Sequence, residues 1–380
     1  MNYQKFKPTA LAKIPPPNVV RMVHTADNHL RLTHLGSRDR GRDFLIATLS
    51  VVKVAREYNA RCIINAGDLM DTPQIQPAVA ADLLLLDEEL GEAKMPMYTL
   101  LGNHDYAAPS WLEVQRMSSS HKNHEWGIIP IDDKIINVGG IAVMAVPFMA
   151  PMELRDRLAK EAEGDVLVWH GSVQEFAGFP VDGMITIEDL TSVHPWKAVL
   201  LGDIHVTKYF DINGCLLGYP GATELVKKDE PLEHSCTVID FDAVTKKVVG
   251  IMHVPVAHRK VLTLRIDTDQ QLDAAIDDLK KRHSEKPIVF AKYSTETNMA
   301  RSRLLLAAGE GALCRLEGYD PVVMRLVQET MSQGVPKPEH FVDKVIPADK
   351  AAAAVARLLV SPDINPGEVL RSFIAEQMAA

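Results

Sequence analysis

Five short polar clusters punctuate this 380-residue chain, and each combines residue types that bind cations. The first is His24-Thr25-Ala26-Asp27-Asn28-His29, in which Asp27 and His29 form a D-x-H pair. Gly67-Asp68-Leu69-Met70-Asp71 and Gly102-Asn103-His104-Asp105 come next, then Val168-Trp169-His170-Gly171 and Leu201-Gly202-Asp203-Ile204-His205. Hard and borderline divalent cations take carboxylate oxygen and imidazole nitrogen, and none of the five clusters offers a thiolate. Two neighbouring cations need about four protein ligands each and one shared bridge. A carboxylate suits the bridge, because its two oxygens can serve both cations while its charge screens their repulsion. Asp68 is the candidate. Singly, each cluster has an ordinary reading: Asp27 as a cap or turn residue, His170 as a satisfied strand-end histidine, Asp71 as the start of the loop before Pro73. Five in this order argue for a metal site.

The clusters follow apolar segments that can position them. Residues 19–25, 61–66 and 97–101 read as buried strands, and 42–58 and 77–90 as helices. In the first helix Phe44, Leu45, Leu49, Val52 and Ala55 lie on one side. Strand signals dominate from 134 onward, at 134–138, 141–147, 166–170, 199–201, 216–219, 236–241 and 247–254, with a helix at 151–163 between them. The expected class is α/β, two sheets flanked by helices. In open α/β sheets ligands bind beyond the carboxyl ends of strands, so the five clusters are expected to meet in one cleft. Gly67, Gly102 and Gly202 are expected to let the chain turn sharply into it.

The pattern divides the chain into four parts. Residues 1–18 read as a flexible lead-in closed by Pro15-Pro16-Pro17, and 19–255 as the catalytic domain. Residues 256–331 read as a smaller α+β unit, with strands at 261–267 and 288–293 around a helix at 270–282. Residues 332–380 read as a linker and C-terminal helices, with Ala-rich amphipathic segments at 348–359 and 366–378. Those segments either dock a partner or pack on the chain's own domain. Lys280, Lys281, Arg282, Arg301 and Arg303 are candidates for phosphate contact, although a solvated helix face is the ordinary reading of such a cluster.

Composition narrows the classes further. The chain is 47% hydrophobic and 24% charged. It has no apolar run of about 18 residues, so no membrane partner is expected. The N-terminus lacks the apolar core of a secretion signal. Cys62, Cys215, Cys236 and Cys314 are scattered without a C-x-x-C pair, which argues against a disulfide framework or structural zinc and for a reducing cytoplasm. A formal charge of −9 weakens a nucleic-acid reading, although the acidic excess lies before residue 256. There is no P-loop, no G-x-S-x-G and no Cys/His nucleophile signature.

Over residues 20–220 the sequence resembles the calcineurin-type metallophosphoesterase superfamily, whose motifs run D-x-H, G-D-x-x-D, G-N-H-D/E, H, G-H-x-H. The resemblance implies an αββα sandwich holding two divalent metal ions. By motif, Asp27, His29, Asp68 and His205 hold one ion and Asp68, Asn103, His170 and Asp203 the other. His104 protonates the leaving oxygen or steadies the transition state, and a two-metal-activated water attacks phosphorus. One position departs: Gly202-Asp203-Ile204-His205 stands where the family has G-H-x-H. An oxygen ligand there favours Mn2+ or Mg2+ over zinc.

Within the superfamily the chain is most similar to the SbcD-like DNA double-strand-break repair exonucleases. Gly67-Asp68-Leu69-Met70-Asp71-Thr72-Pro73 resembles their G-D-L-F-D-T-P stretch, and Gly218-Tyr219-Pro220-Gly221-Ala222-Thr223-Glu224 their Y-P-G-S segment. The resemblance implies a manganese-dependent exonuclease and endonuclease acting on DNA, with residues 256–331 as a capping, DNA-binding domain. It further implies a homodimer that works with an SbcC-like ABC-type ATPase through the C-terminal helices. Two alternatives remain open on the residues alone. One is a small-substrate metallophosphodiesterase acting on cyclic nucleotides or nucleotides, which the acidic core favours. The other is a non-catalytic scaffold, which the intact first three motifs oppose.

Overall fold

The computed structural model describes residues 4–105, 125–177, 183–228, 230–294, 297, 300–309 and 312–319. The segments at 348–359 and 366–378, and the linker before them, lie outside the described residues. The chain divides into two units, Met1–His258 and Arg259–Ala380.

The first unit holds two sheets. One has six strands in the order β13-β12-β2-β3-β4-β5, where β2 is Val19–Thr25, β3 Cys62–Asn65, β4 Pro96–Thr99, β5 Gly127–Pro130, β12 Ser235–Asp242 and β13 Val248–Pro255. The other has seven, β1-β10-β11-β9-β8-β7-β6: β1 Gln4–Lys5, β6 Lys134–Val138, β7 Ile141–Val146, β8 Val166–His170, β9 Ala198–Gly202, β10 Lys208–Ile212 and β11 Cys215–Tyr219. Alternation along the strands builds the layers. Met22, Ile64, Val143, Val168 and Leu200 point into the core between the sheets. Their neighbours Val23 and Ile63 face α1 (Arg38–Glu57) and α2 (Pro77–Glu92). Met144, Leu167 and Val199 face α3 (Pro151–Glu161) and α4 (Ile187–Thr191) on the opposite side. The result is the four-layered αββα sandwich.

Local chemistry sets the element ends. The Ser37 side chain caps α1 by accepting from the Arg40 amide, so the helix starts at Arg38, four residues before the onset its apolar spacing predicts. Pro77 and Pro151 open α2 and α3 at the first helical position, where no amide is needed. The apolar spacing predicts no strand at 208–212, where β10 lies. There Asn213 and Gly214, at φ 54° and 86°, make the two-residue turn that pairs Ile212 with Cys215.

The lead-in, expected to be flexible, is held along the domain. β1 pairs with β10, the Phe6 amide donates to Tyr209 O (2.9 Å) and the Thr9 amide to Ile251 O (2.8 Å). Buried Arg21 supplies the reason. It grips Asp240 through Nε (2.6 Å) and Nη2 (2.7 Å), and its Nη1 donates to Ala12 O (2.6 Å) and Tyr58 O (2.9 Å). One guanidinium thus ties the lead-in, the end of α1 and two strands together.

In the second unit β14 (Val261–Ile266), β15 (Ile288–Ser294) and β16 (Leu313–Tyr319) form a parallel sheet. α5 (Asp269–Lys281) and α6 (Ala300–Ala308) connect them and bury Leu272, Leu279 and Leu304 against Val289 and Ala291. The unit expected as α+β is a βαβαβ arrangement, with a helix crossing between each pair of parallel strands. Arg282 pairs with Asp278 and Glu285, and Arg303 with Asp273. Among the described residues no helix is long and apolar enough to cross a membrane.

The Arg21 clamp gives a stability test. Asp240→Ala leaves a buried guanidinium uncompensated and is expected to cost about 3–5 kcal/mol. Urea unfolding followed by tryptophan fluorescence reads this unit, because every tryptophan of the chain precedes residue 259. Replacing both partners, Arg21→Met with Asp240→Leu, is expected to recover most of the loss.

Candidate metal centre

β2, β3 and β4 run parallel in one sheet, and β7, β8, β9 and β11 in the other. Their carboxyl ends meet at a seam between the sheets. Ala26 bridges Ala222 across that seam, the Asp203 amide donates to both oxygens of Asp27 (3.1 and 3.2 Å), and His170 Nδ1 donates to Ala66 O (2.7 Å). All five clusters therefore arrive at one place.

Asp68 lies at its centre. Its Oδ1 accepts the His104 amide (2.9 Å), and its Oδ2 faces His170 Nε2 (3.4 Å), His29 Nε2 (3.8 Å) and His104 Nε2 (4.0 Å). Asn103 Oδ1 joins at 2.9 Å from His170 Nε2. On the other side His205 Nε2 lies 3.3 Å from His29 Nε2 and 3.9 Å from Asp27 Oδ1. Three groups of potential ligand atoms result: Asp27, His29 and His205; Asp27, Asp68 and His170; and His29, Asp68 and His104. Asp203 belongs to none of them, and its Oδ2 instead accepts a short hydrogen bond from the Ser172 hydroxyl.

The histidines are turned to serve this centre. Carbonyl oxygens only accept, so His170 Nδ1, against Ala66 O, and His104 Nδ1, against Asp71 O (2.7 Å), must carry the protons. Both rings therefore present Nε2 inward. A hydrogen bond at one ring nitrogen that frees the other is the usual preparation of a histidine ligand. Carboxylate oxygens, an amide oxygen and imidazole nitrogens facing one another fit divalent cations.

Electrostatics show what holds the cluster when it stands alone. Burial pushes the Asp27 carboxyl up. Burial works the same way on Asp68, but His170 and His29 outweigh it and hold that carboxyl at about 2. His170 is the counterpart: burial favours its neutral form, yet Asp68, Asp27 and Asp203 push it up to about 10.

The backbone is strained to deliver these groups. Asp27, His29, Asp68 and Asp203 have φ of 53°, 48°, 53° and 99°. Such conformations cost about 1–3 kcal/mol each and gather at functional sites. Gly67, at φ 102°, does turn the chain as expected. Gly102 and Gly202 serve a different need, which is space. A Cβ on Gly102 would lie 2.1 Å from Asp68 Oδ1, and one on Gly202 2.6 Å from His170 Nδ1.

Several residues have supporting roles that the sequence does not reveal. Buried Asp105 accepts from the amides of Leu69 (3.2 Å), Met70 (3.0 Å) and Gly102 (3.1 Å), tying two ligand loops together. Burial and the charge of Asp68 push its carboxyl up to about 7. Asn65 donates to Asn28 (2.7 Å) and accepts from the Gly67 amide (2.8 Å), while Asn28 reaches Thr223 (3.3 Å). Tyr219 donates to Gly171 O (2.9 Å) and accepts from the Val173 amide (3.0 Å), fixing the loop after His170. Glu224 pairs with buried Arg40 (3.0 Å), which gives the Y-P-G-A-T-E segment a structural task. Asn65 and Asp105 carried a readable signal, as polar residues bordering apolar strands; Glu230, beside His205, carried none.

Residues 20–207 match the Calcineurin-like phosphoesterase family, and this part of the chain belongs to it. The chain is also similar to archaeal proteins named DNA double-strand break repair protein Mre11. It is 29% identical to that of Haloferax volcanii over 307 residues, covering 78% of this chain and 66% of the relative. Identity is 24% over 292 residues with that of Methanosarcina mazei, covering 74% and 46%. With that of Methanosarcina acetivorans it is 23% over 376 residues, covering 94% and 59%. The chain thus spans from about half to just under two thirds of these relatives' length.

The space argument is testable. Gly102→Ala drives a methyl into Asp68, so Mn2+ binding measured by calorimetry is expected to fall by at least about tenfold, the scale for disturbing a ligand's support. Unchanged binding would show that the close approach is not needed.

Proposed function

We propose that the chain is a metal-dependent nuclease that hydrolyses DNA phosphodiester bonds in double-strand-break repair. The observation that carries this reading is the Asp68 carboxylate facing three histidine Nε2 atoms at 3.4–4.0 Å. Asp27, His29, Asp68 and His205 would hold one divalent ion, and Asp68, Asn103 and His170, with Asp203 near by, the other. A bound divalent pair supplies Lewis acidity, acidifying a water and offsetting phosphate charge. The protein's own groups do the rest. Asp68 holds the two halves together, and the carbonyls of Ala66 and Asp71 keep His170 and His104 aimed. His104 has 42% of its side chain exposed, so it can meet a substrate oxygen and, as the imidazolium with protons on both ring nitrogens, deliver the one on Nε2 to the leaving group.

The double-strand-break role is supported by the archaeal relatives' shared name. Manganese is the metal we favour, because Asp68 and Asn103 bring oxygen to the second ion and Asp203, standing where the family has imidazole, adds no nitrogen there. An SbcC-like ATPase partner, homodimer formation and a cytoplasmic location complete the proposal. Four free cysteines accord with the last.

End-labelled duplex DNA in Mn2+ tests the reaction, with a small chromogenic phosphodiester alongside. The expected result is DNA digestion that His104→Ala slows by about 100- to 10,000-fold. Equal digestion by both proteins contradicts the acid role, and cleavage of the small ester alone favours the small-substrate alternative. Asp203→His is expected to move metal preference from Mn2+ toward Zn2+ in competition titrations. An unchanged preference counts against the oxygen-ligand argument.

A further inference from the structure

We propose that Glu230 positions His205 for cation binding, an inference that rests on the divalent-pair reading above. Glu230 belongs to none of the five clusters. It sits at a turn in the segment joining β11 to β12, where its amide donates to Lys227 O (3.2 Å) and its side chain is 8% exposed. One carboxylate oxygen accepts the Nδ1 proton of His205 (2.5 Å), and the other accepts the Val226 amide (2.7 Å). The carboxylate is therefore fixed from one side by its own turn and spends its free oxygen on the histidine.

An imidazole fixed at Nδ1 has no freedom left at Nε2. In His205 that atom is delivered 3.3 Å from His29 Nε2 and 3.9 Å from Asp27 Oδ1, inside the Asp27, His29 and His205 group. His170 and His104 are oriented by main-chain carbonyls, which substitution cannot remove. His205 takes its orienting bond from a side-chain carboxylate, which also makes the imidazole a stronger donor. The centre thus has one ligand whose aim and basicity are set by a residue outside the motifs, about 25 positions downstream.

The test is Mn2+ calorimetry on the intact protein and its Glu230→Gln variant, with thermal unfolding of both without metal. Glutamine keeps the shape but removes the charge. One of the two binding steps is expected to weaken by about 10- to 100-fold, with the metal-free unfolding temperature little changed. In a His205→Ala background the same substitution is expected to cause no further loss, because Glu230 acts through that ring. Parent-like Mn2+ binding by Glu230→Gln overturns the proposal, as does a full additional loss in the His205→Ala background. If Glu230→Gln does not fold, Glu230→Asp takes its place, with the charge withdrawn by one methylene and the same two outcomes. A parent protein that binds no Mn2+ would instead contradict the divalent-pair reading itself.

Discussion

Two carboxylates, Asp27 and Asp68, are taken almost wholly out of water at the seam between the sheets, with side-chain exposures of 0% and 2%. Uncompensated, each would cost several kcal/mol, so positive charge must be found close by. His170 and Asp68 hold each other in the charged form, while burial pushes the Asp27 carboxyl up; with divalent cations present the same atoms become a ligand set. The other unusual features of the first unit follow from this demand. Left-handed backbone at Asp27, His29 and Asp68 brings donors together that regular strands would hold apart. Gly102 and Gly202 clear room for Asp68 and His170, and Asp105 binds two loops so that neither can drift. The sandwich brings the carboxyl ends of the parallel strands of both sheets to one line.

Much of this was legible in the residues, for identifiable reasons. Apolar strands ending abruptly in Asp, Asn or His announce themselves, because buried strands rarely close on such groups without a task. The order of the clusters then gave a shared cleft, since parallel strands send their carboxyl ends the same way. What stayed hidden depends on contacts made across long sequence distances. Glu230 and Ser172 show no pattern, and only the fold brings them to His205 and Asp203. The lead-in looked loose because its hold on the domain comes from Arg21 and from β10, a strand the apolar rhythm did not reveal. At Gly202 the sequence suggests a turn, because a glycine is silent about whether conformation or space selects it.

Asp203 is where the chain departs from its family. The residue keeps a structural link to the site, since its amide donates to Asp27, yet its carboxylate is engaged by Ser172 and lies outside the ligand groups. A site built this way has two histidines, His29 and His205, in one half and only His170 in the other, where oxygen donors weigh more. That asymmetry is the physical basis for expecting two cation sites of unequal strength and a preference for harder ions.

The account stands on Asp68 as the shared carboxylate, and anomalous diffraction from crystals grown with Mn2+ tests it most directly. It predicts two manganese peaks, one on either side of Asp68, with Asp27, His29 and His205 around one and Asn103 and His170 around the other. A single peak, or peaks that Asp68 does not touch, would contradict it.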